Sequence, residues 1–240
     1  MKKVAVVVGA GDATGGAIAE RFAAEGYAVC AVRRNGDKLA PLVARIEESG
    51  GQAHAFGVDA RIEEDMVALF DKIEVEVGPI EVAVFNVGAN VSFSILETTG
   101  RVYRKVWEMA CFAGFLTGRE AARRMVKREA GTIIFTSATA SIRGAPGFAA
   151  FSGAKHGLRA LAQSMARELG PRGIHVAHVV IDGAIDTAWI RENFPETAAL
   201  KAEDGVLNPI DIAEAYWRIH CQPRSAWSHE LDLRPWKEKW

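Results

Sequence analysis

Short apolar runs alternate with longer amphipathic stretches along most of the chain. Six runs predict strands because each is short and largely apolar; they cover residues 4–8, 28–32, 53–58, 82–85, 132–136 and 175–181. Between them, apolar residues recur at helical spacing, as Leu39, Leu42, Val43 and Ile46 do. Apolar strands that are each followed by an amphipathic helix predict a parallel sheet covered by helices on both faces, with right-handed crossovers.

No repeat, linker or low-complexity segment interrupts this alternation. A chain of 240 residues is long enough for an extended core. The sequence therefore predicts one doubly wound α/β domain over residues 1–240.

Charge and cysteine content narrow the classes of partner. The formal net charge is −1, which gives no reason to expect nucleic acid or an anionic membrane as partner. The first apolar run is too short for a spanning helix and lacks a signal-peptide cleavage pattern. The three cysteines, Cys30, Cys111 and Cys221, are widely spaced without metal-ligand pairing. We expect a reduced cytoplasmic protein with no metal site and no membrane partner.

The first predicted strand leads into a glycine-rich turn, VGAGDATGGAIAERF. Gly9, Gly11 and Gly15 allow a sharp turn and a close backbone approach, and Asp12, Ala13 and Thr14 complete the turn. A helix that opens near Gly15 would offer free N–H groups and the positive end of its dipole to a phosphate. A plain tight turn would look the same, but the position between strand and helix favours dinucleotide binding.

The second predicted strand ends in Arg33 and Arg34, with no acidic residue there. Dinucleotide-binding proteins that select NAD place an Asp or Glu at this point to bind the ribose hydroxyls, whereas arginine pairs with a 2′-phosphate. The alternative is a pair of solvated arginines that opens a loop. We expect NADP(H) to be favoured over NAD(H).

The segment of residues 131–155, GTIIFTSATASIRGAPGFAAFSGAK, resembles the active-site segment of the short-chain dehydrogenase/reductase family. In that family a serine ends the strand, and a Tyr-x-x-x-Lys pair lies thirteen residues further on. Here Ala138 occupies the serine position and Phe151 the tyrosine position, while Lys155 keeps its family identity. A long helical region is predicted over residues 101–128, and in its middle the family's asparagine, in Asn-x-x-Gly, is replaced by Cys111 in CFAG. We interpret Cys111 as a small apolar filler rather than a nucleophile.

The resemblance extends over nearly the whole chain and implies a Rossmann-type, seven-stranded parallel sheet. It implies that Lys155 also binds the nicotinamide ribose. The resemblance implies further cofactor contacts. Asp59 and Ala60 would lie near the adenine, and Asn86 and Gly88 of FNVG would lie along the cleft. Gly183, Ile185 and Thr187 would hold the nicotinamide carboxamide and the phosphates. Two departures from the family's glycine pattern are Val8 and Ala13. Asp182 replaces a family proline, either as a loop-capping carboxylate or as a new acid facing the pocket.

The lost side chains bear directly on the chemistry. Tyrosine normally supplies the proton for carbonyl reduction, with its pKa lowered by the lysine, and serine donates a hydrogen bond to the developing oxyanion. Phe151 and Ala138 can do neither. Our leading hypothesis is an NADP-linked oxidoreductase with an altered mechanism on a small apolar substrate. The alternative is a non-catalytic NADP(H)-binding protein that acts as a sensor or partner subunit.

The last third of the chain is predicted to hold the variable parts. Residues 188–206 are expected to form the variable substrate loop, and residues 207–240 a helix from Asn208 to His220, the last strand and an aromatic tail. We expect the tail to pack in a subunit interface of a homodimer or homotetramer, as the family implies; its tryptophans are Trp217, Trp227, Trp236 and Trp240.

Overall fold

The computed structural model describes residues 2–238. Within that range the strands form one seven-stranded sheet in the order β3-β2-β1-β4-β5-β6-β7, and every neighbouring pair is parallel. The strands are β1 (Val4–Val8), β2 (Ala28–Arg33), β3 (Gln52–Gly57), β4 (Ile80–Phe85), β5 (Gly131–Thr136), β6 (Ile174–Ile181) and β7 (Glu230–Leu233). The predicted doubly wound, Rossmann-type fold is confirmed.

Helices connect the strands and cover both faces of the sheet. They are α1 (Thr14–Ala24), α2 (Ala40–Glu48), α3 (Glu63–Glu76), α4 (Gly100–Trp107), α5 (Ala113–Met125), α6 (Ala149–Leu169), α7 (Ala188–Asn193), α8 (Pro195–Ala199) and α9 (Pro209–His220). In the described range, no helix is both long and apolar enough to cross a membrane. Strands β2 and β3 are added on one side of β1 and strands β4 to β7 on the other, so the carboxyl ends of β1 and β4 flank a crevice where ligands bind in such sheets.

The core lies in two layers, one on each side of the sheet. The central strands are fully buried; β1, for example, is buried at all five positions. On one face the strands pack against α3, α5 and α6, with Phe70, Phe85 and Phe135 at the centre. On the other they pack against α1, α2 and α9, around Phe22 and Tyr216. Burial of apolar area on both faces is the main stabilising contribution to such a sheet.

One sequence expectation differs from the structure. The helix expected over residues 101–128 is divided into α4 and α5 by a π turn at Glu108–Phe112. A π turn inserts one residue, but the helical period continues on both sides of it, so the apolar pattern does not reveal the division.

The aromatic residues near the C-terminus also pack within the chain. Trp217 lies edge-on to Phe22 and Tyr27, and Trp227 stacks on His175 at 4.8 Å between ring centroids. Both tryptophans thus contact neighbouring elements of the same chain and stay partly exposed, so their place in a subunit interface stays a prediction. Trp240 lies outside the described residues.

Candidate functional site

The glycine-rich turn after β1 brings the backbone of two segments into close contact. Gly9 has a φ of +89°, which glycine adopts without strain. A Cβ atom at Gly15 would lie 2.3 Å from the Gly9 carbonyl oxygen, so only glycine fits there. Ala13 precedes α1 with a φ of −120°, so this position does not need the left-handed conformation that favours glycine.

The start of α1 is a suitable place for an anion. No side chain caps the helix at Ala13, and the first turn contains no acidic residue. The free N–H groups of that turn and the positive end of the helix dipole are available to a phosphate group.

A cleft of about 510 Å³ opens beside this turn, at the carboxyl ends of β1, β4, β5 and β6. The structure brings together in its lining most of the residues predicted from sequence; these are Gly9, Gly11, Asp12, Ala13, Thr14, Gly15, Asn86, Gly88, Ala138, Phe151, Lys155, Gly183, Ile185 and Thr187. Asn86 also has a structural role, because its Nδ2 donates to the Gly9 carbonyl oxygen at 3.1 Å.

A smaller pocket of about 120 Å³ adjoins the cleft, and the remaining predicted residues line it: Arg33, Arg34, Asp59 and Ala60. Asp59 accepts hydrogen bonds from the Arg61 guanidinium at 2.6 and 2.9 Å. Those bonds lower the pKa of the Asp59 carboxyl group, against the opposing effect of burial. Arg61 was not singled out from the sequence, although it stands two residues after a predicted site residue.

The two arginines after β2 differ in their surroundings. Arg33 is half-buried, and its Nη1 lies 3.4 Å from an Asp12 carboxylate oxygen and 3.3 Å from the Lys38 carbonyl oxygen. Arg34 is exposed. Both line a shallow groove together with Asn35 and Lys38. This groove carries three cationic side chains beside the turn, and Lys38 is a member that sequence reasoning missed.

Lys155 lies at the floor of the cleft and is 2% exposed. Its Nζ donates to the carbonyl oxygens of Thr136 at 3.0 Å and Val87 at 3.1 Å. Burial lowers the pKa of Lys155 to about 8, because removal of water penalises the charged form. The ammonium also lies 5.8 Å from the centroid of the Phe151 ring, within cation–π range.

The positions that carry polar groups in the resembling family form a continuous apolar cluster here. Cys111 and Phe151 are 8% and 7% exposed and pack in one cluster, against which Ala138 also packs. Burial raises the pKa of the Cys111 thiol, and the Lys155 charge only partly opposes this. The thiol is therefore neutral near pH 7, which fits its interpretation as an apolar filler.

Asp182 does not line the cleft. It is 4% exposed, accepts a hydrogen bond from the Thr139 hydroxyl group, and lies 3.7 Å from the Arg234 guanidinium. Of the two interpretations left open by the sequence, these contacts support a carboxylate that ties loops together rather than an acid facing the pocket.

Several lining residues were not predicted. Asn90, Ser137 and Ile190 line the cleft next to predicted positions. Their adjacency to the strand ends was the available signal, but a lining position leaves no sequence motif of its own. Among residues 2–238, no group of three or more His, Cys, Asp or Glu side chains is placed to hold a metal ion.

Comparisons with known proteins agree on the family that this chain resembles. The family description "short chain dehydrogenase" matches residues 3–198. A 3beta-hydroxysteroid dehydrogenase of Mediterraneibacter gnavus is 32% identical over 203 residues, which cover 84% of this chain and 73% of that protein.

Two solved structures are similar over almost their whole length. The crystal structure of a short-chain dehydrogenase from Rhodopseudomonas palustris is 52% identical, with a TM-score of 0.85 and coverage of 98% of this chain and 99% of that one. A metagenomic short-chain oxidoreductase in complex with NADP is 25% identical, with a TM-score of 0.83 and coverage of 97% and 96%.

Proposed function

The chain belongs to the short-chain dehydrogenase family, and from that premise we propose that it binds NADP(H) in the cleft and transfers hydride to an acceptor that needs no strong acid. The observation that carries this proposal is the contrast within one cleft. Most residues expected to form a dinucleotide cradle line the cleft, while the positions expected for the family's serine, tyrosine and asparagine are apolar.

The cradle fits a nicotinamide dinucleotide on two grounds. The uncapped N-terminus of α1 opens on the cleft and can receive the pyrophosphate. A Cβ atom at Gly11 would meet nothing within 4 Å, so space for a ligand remains directly beside the backbone of the turn. The similar metagenomic oxidoreductase is described as a complex with NADP, which supports the same cofactor class here. When bound, the cofactor supplies hydride.

The preference for NADP(H) rests on the groove beside β2. Arg33, Arg34 and Lys38 line it, and an exposed 2′-phosphate would meet these cations. We expect the substitution Arg34→Ala to weaken NADPH binding by about tenfold, ~1.4 kcal/mol, and to leave NADH binding nearly unchanged. Fluorescence titration of both cofactors measures this, with Arg167→Ala, an exposed arginine on α6, as the matched control. Equal affinities in the parent, unchanged in Arg34→Ala, would contradict the preference.

The apolar side chains of Phe151 and Ala138 limit which compounds could accept hydride in the cleft. A carbonyl oxygen placed against Phe151 and Ala138 would receive no hydrogen bond from either side chain, and an unsatisfied polar atom costs about 1–3 kcal/mol. Loss of the acid and of the oxyanion donor lowers the rate further, by roughly 10²–10⁴ and 10²–10³. An iminium carbon, which is already positive, avoids both costs because hydride addition leaves a neutral amine. An activated alkene avoids the need for an acid in the hydride step, because its proton can come later from water.

Isotope transfer tests this choice without knowledge of the natural substrate. NADPH that carries deuterium at nicotinamide C4 would be incubated with panels of ketones, cyclic iminium ions and activated alkenes. We expect deuterium in the products of the second or third panel and little in the alcohols. Brisk labelling of simple ketones would contradict the proposal and would show that another residue supplies the proton.

The second candidate is a non-catalytic NADP(H)-binding protein that acts as a sensor or partner subunit. The closed apolar cluster around Phe151 and Cys111 favours it too, because both side chains are more than nine-tenths buried. It predicts tight NADPH binding without deuterium transfer to any panel.

A further inference from the structure

Asp182 joins three segments behind the wall of the cleft. Its carboxylate accepts the Thr139 hydroxyl group on the loop after β5 and lies 3.7 Å from the Arg234 guanidinium after β7. Its backbone N–H donates to the Leu233 carbonyl oxygen at 2.8 Å. The next residue, Gly183, lines the cleft itself. One buried carboxylate thus connects the cleft wall to the C-terminal part of the chain.

Residues 234–237, named the strap here, continue from this anchor. Pro235 packs on Gly183, where a Cβ atom would lie 2.8 Å from the proline Cδ. Trp236 Nε1 donates to the Glu203 carbonyl oxygen at 2.9 Å, and the Lys237 ammonium pairs with the Glu203 carboxylate. The strap therefore runs from the cleft wall to Glu203.

Glu203 ends a 3₁₀ turn at Leu200–Glu203, inside the 188–206 segment. This segment begins next to Thr187 and includes Ile190, both of which line the cleft. Three of its large apolar side chains, Trp189, Phe194 and Leu200, are exposed, and Val206 at its end is buried. A segment with so little apolar burial depends on polar contacts to keep its place.

We propose that Asp182 is a positioning residue that, through the strap, holds the 188–206 segment closed beside the cleft. The inference rests on the proposed function only in that the enclosed ligand is NADP(H). Opening of the segment would be a property of the protein alone, and escape of the cofactor would follow from it. Asp182 would act through Arg234 and Thr139 and would not touch the reacting atoms.

Limited trypsin cleavage of the ligand-free protein measures segment opening. Lys201 and Arg191 lie within the segment and are both paired with Asp186. The substitution Trp236→Phe removes one exposed hydrogen bond and keeps an aromatic ring. We expect cleavage after Lys201 to become about threefold to tenfold faster, as loss of one ordinary hydrogen bond predicts. The matched control is Trp227→Phe, whose Nε1 donates to Gln222 outside the segment.

Asp182→Asn tests the anchor. It removes the charge opposite Arg234 and keeps an acceptor for Thr139, so we expect faster cleavage after Lys201 again. Both changes would release the same strap. The fold increase in cleavage rate of the double variant should therefore be smaller than the product of the fold increases of the two single variants. NADPH should leave both single variants faster than the parent in stopped-flow displacement.

Each outcome decides the proposal. Parental cleavage in both single variants would overturn it, as would equal acceleration in Trp227→Phe. Fully multiplicative effects would overturn the role of Asp182, because the two residues would then act separately. If the parent binds no NADPH, the proposed function fails while the cleavage results still decide the strap.

Discussion

By the correspondence expected from the sequence, the side chains at positions 111, 138 and 151 differ from the family's usual set by a few polar atoms. Phenylalanine lacks only the hydroxyl group of tyrosine, and alanine lacks only that of serine. Their surroundings have the corresponding character, since Val106, Ala110 and Ala154 pack in the same cluster. Lys155 has kept its place beneath them, with two backbone carbonyls as acceptors. The site therefore has the lysine cation that would lower the pKa of a tyrosine, but it has no tyrosine.

This argument predicts that Ala138→Ser combined with Phe151→Tyr gives measurable carbonyl reduction with NADPH. The Lys155 charge, 5.8 Å from the Phe151 ring, would lower the pKa of the new phenol group, and the serine would bind the developing oxyanion. We expect a gain of at least about 100-fold over the parent in NADPH oxidation with a ketone panel, and less from each single change.

Phe148→Tyr is the control for that experiment, because Phe148 packs against the same cluster but does not hold the family's tyrosine position. A double variant that binds NADPH normally yet stays inert toward ketones would contradict the retained geometry. It would favour the sensor or partner-subunit candidate.

At the scale of the element, the two glycines Gly11 and Gly15 in the turn between β1 and α1 have different roles. Gly15 is needed for close packing, whereas Gly11 leaves room for a ligand. Gly15→Ala would place a methyl group against the Gly9 carbonyl oxygen, so we expect a loss of about 2 kcal/mol or more in the free energy of unfolding. Gly11→Ala meets no protein atom within 4 Å and should leave stability unchanged. Its methyl group would instead crowd the phosphate, weakening NADPH binding by about tenfold. Urea unfolding and cofactor titration of both variants check this, and a stable Gly11→Ala protein with parental affinity would place the phosphate elsewhere.

The elements also explain how much the sequence could predict. The strands and the glycine-rich turn follow from local patterns, because an apolar run and a glycine spacing each act within one element. The π turn at Glu108–Phe112 was missed because it leaves the helical period intact. The role of Asp182 could not be predicted, since its partner Arg234 lies on a distant segment that only the fold brings near. The lowered pKa of Lys155 depends in the same way on burial by three separate elements.

At the scale of the whole molecule, two largely buried histidines connect elements that are distant in the sequence. His178 on β6 is fully buried and bonded to Glu230 on β7, and burial lowers its pKa. His220 at the end of α9 contacts the Tyr27 hydroxyl group at 2.7 Å and the Thr132 hydroxyl group at 2.9 Å. Burial lowers the pKa of His220 to about 4, from an ordinary value near 6.5. Both side chains are thus neutral in the folded protein at neutral pH.

Neutral histidines of this kind predict loss of stability in mild acid. Between pH 6.5 and about 4 the unfolded chain binds a proton at His220 and the folded protein does not, so the free energy of unfolding falls as pH falls through this window. Full protonation of the unfolded state costs about 2 kcal/mol at this position, once the partial exposure of the ring is allowed for. We expect His220→Gln to reduce the acid-induced fall in the free energy of unfolding by this ~2 kcal/mol, as measured by urea unfolding at about pH 7.5, 6 and 5. His156→Gln, an exposed histidine on α6, serves as the control and should keep the parental slope. If His220→Gln keeps the parental slope as well, the proton that destabilises the fold binds elsewhere, and His178 becomes the next position to replace.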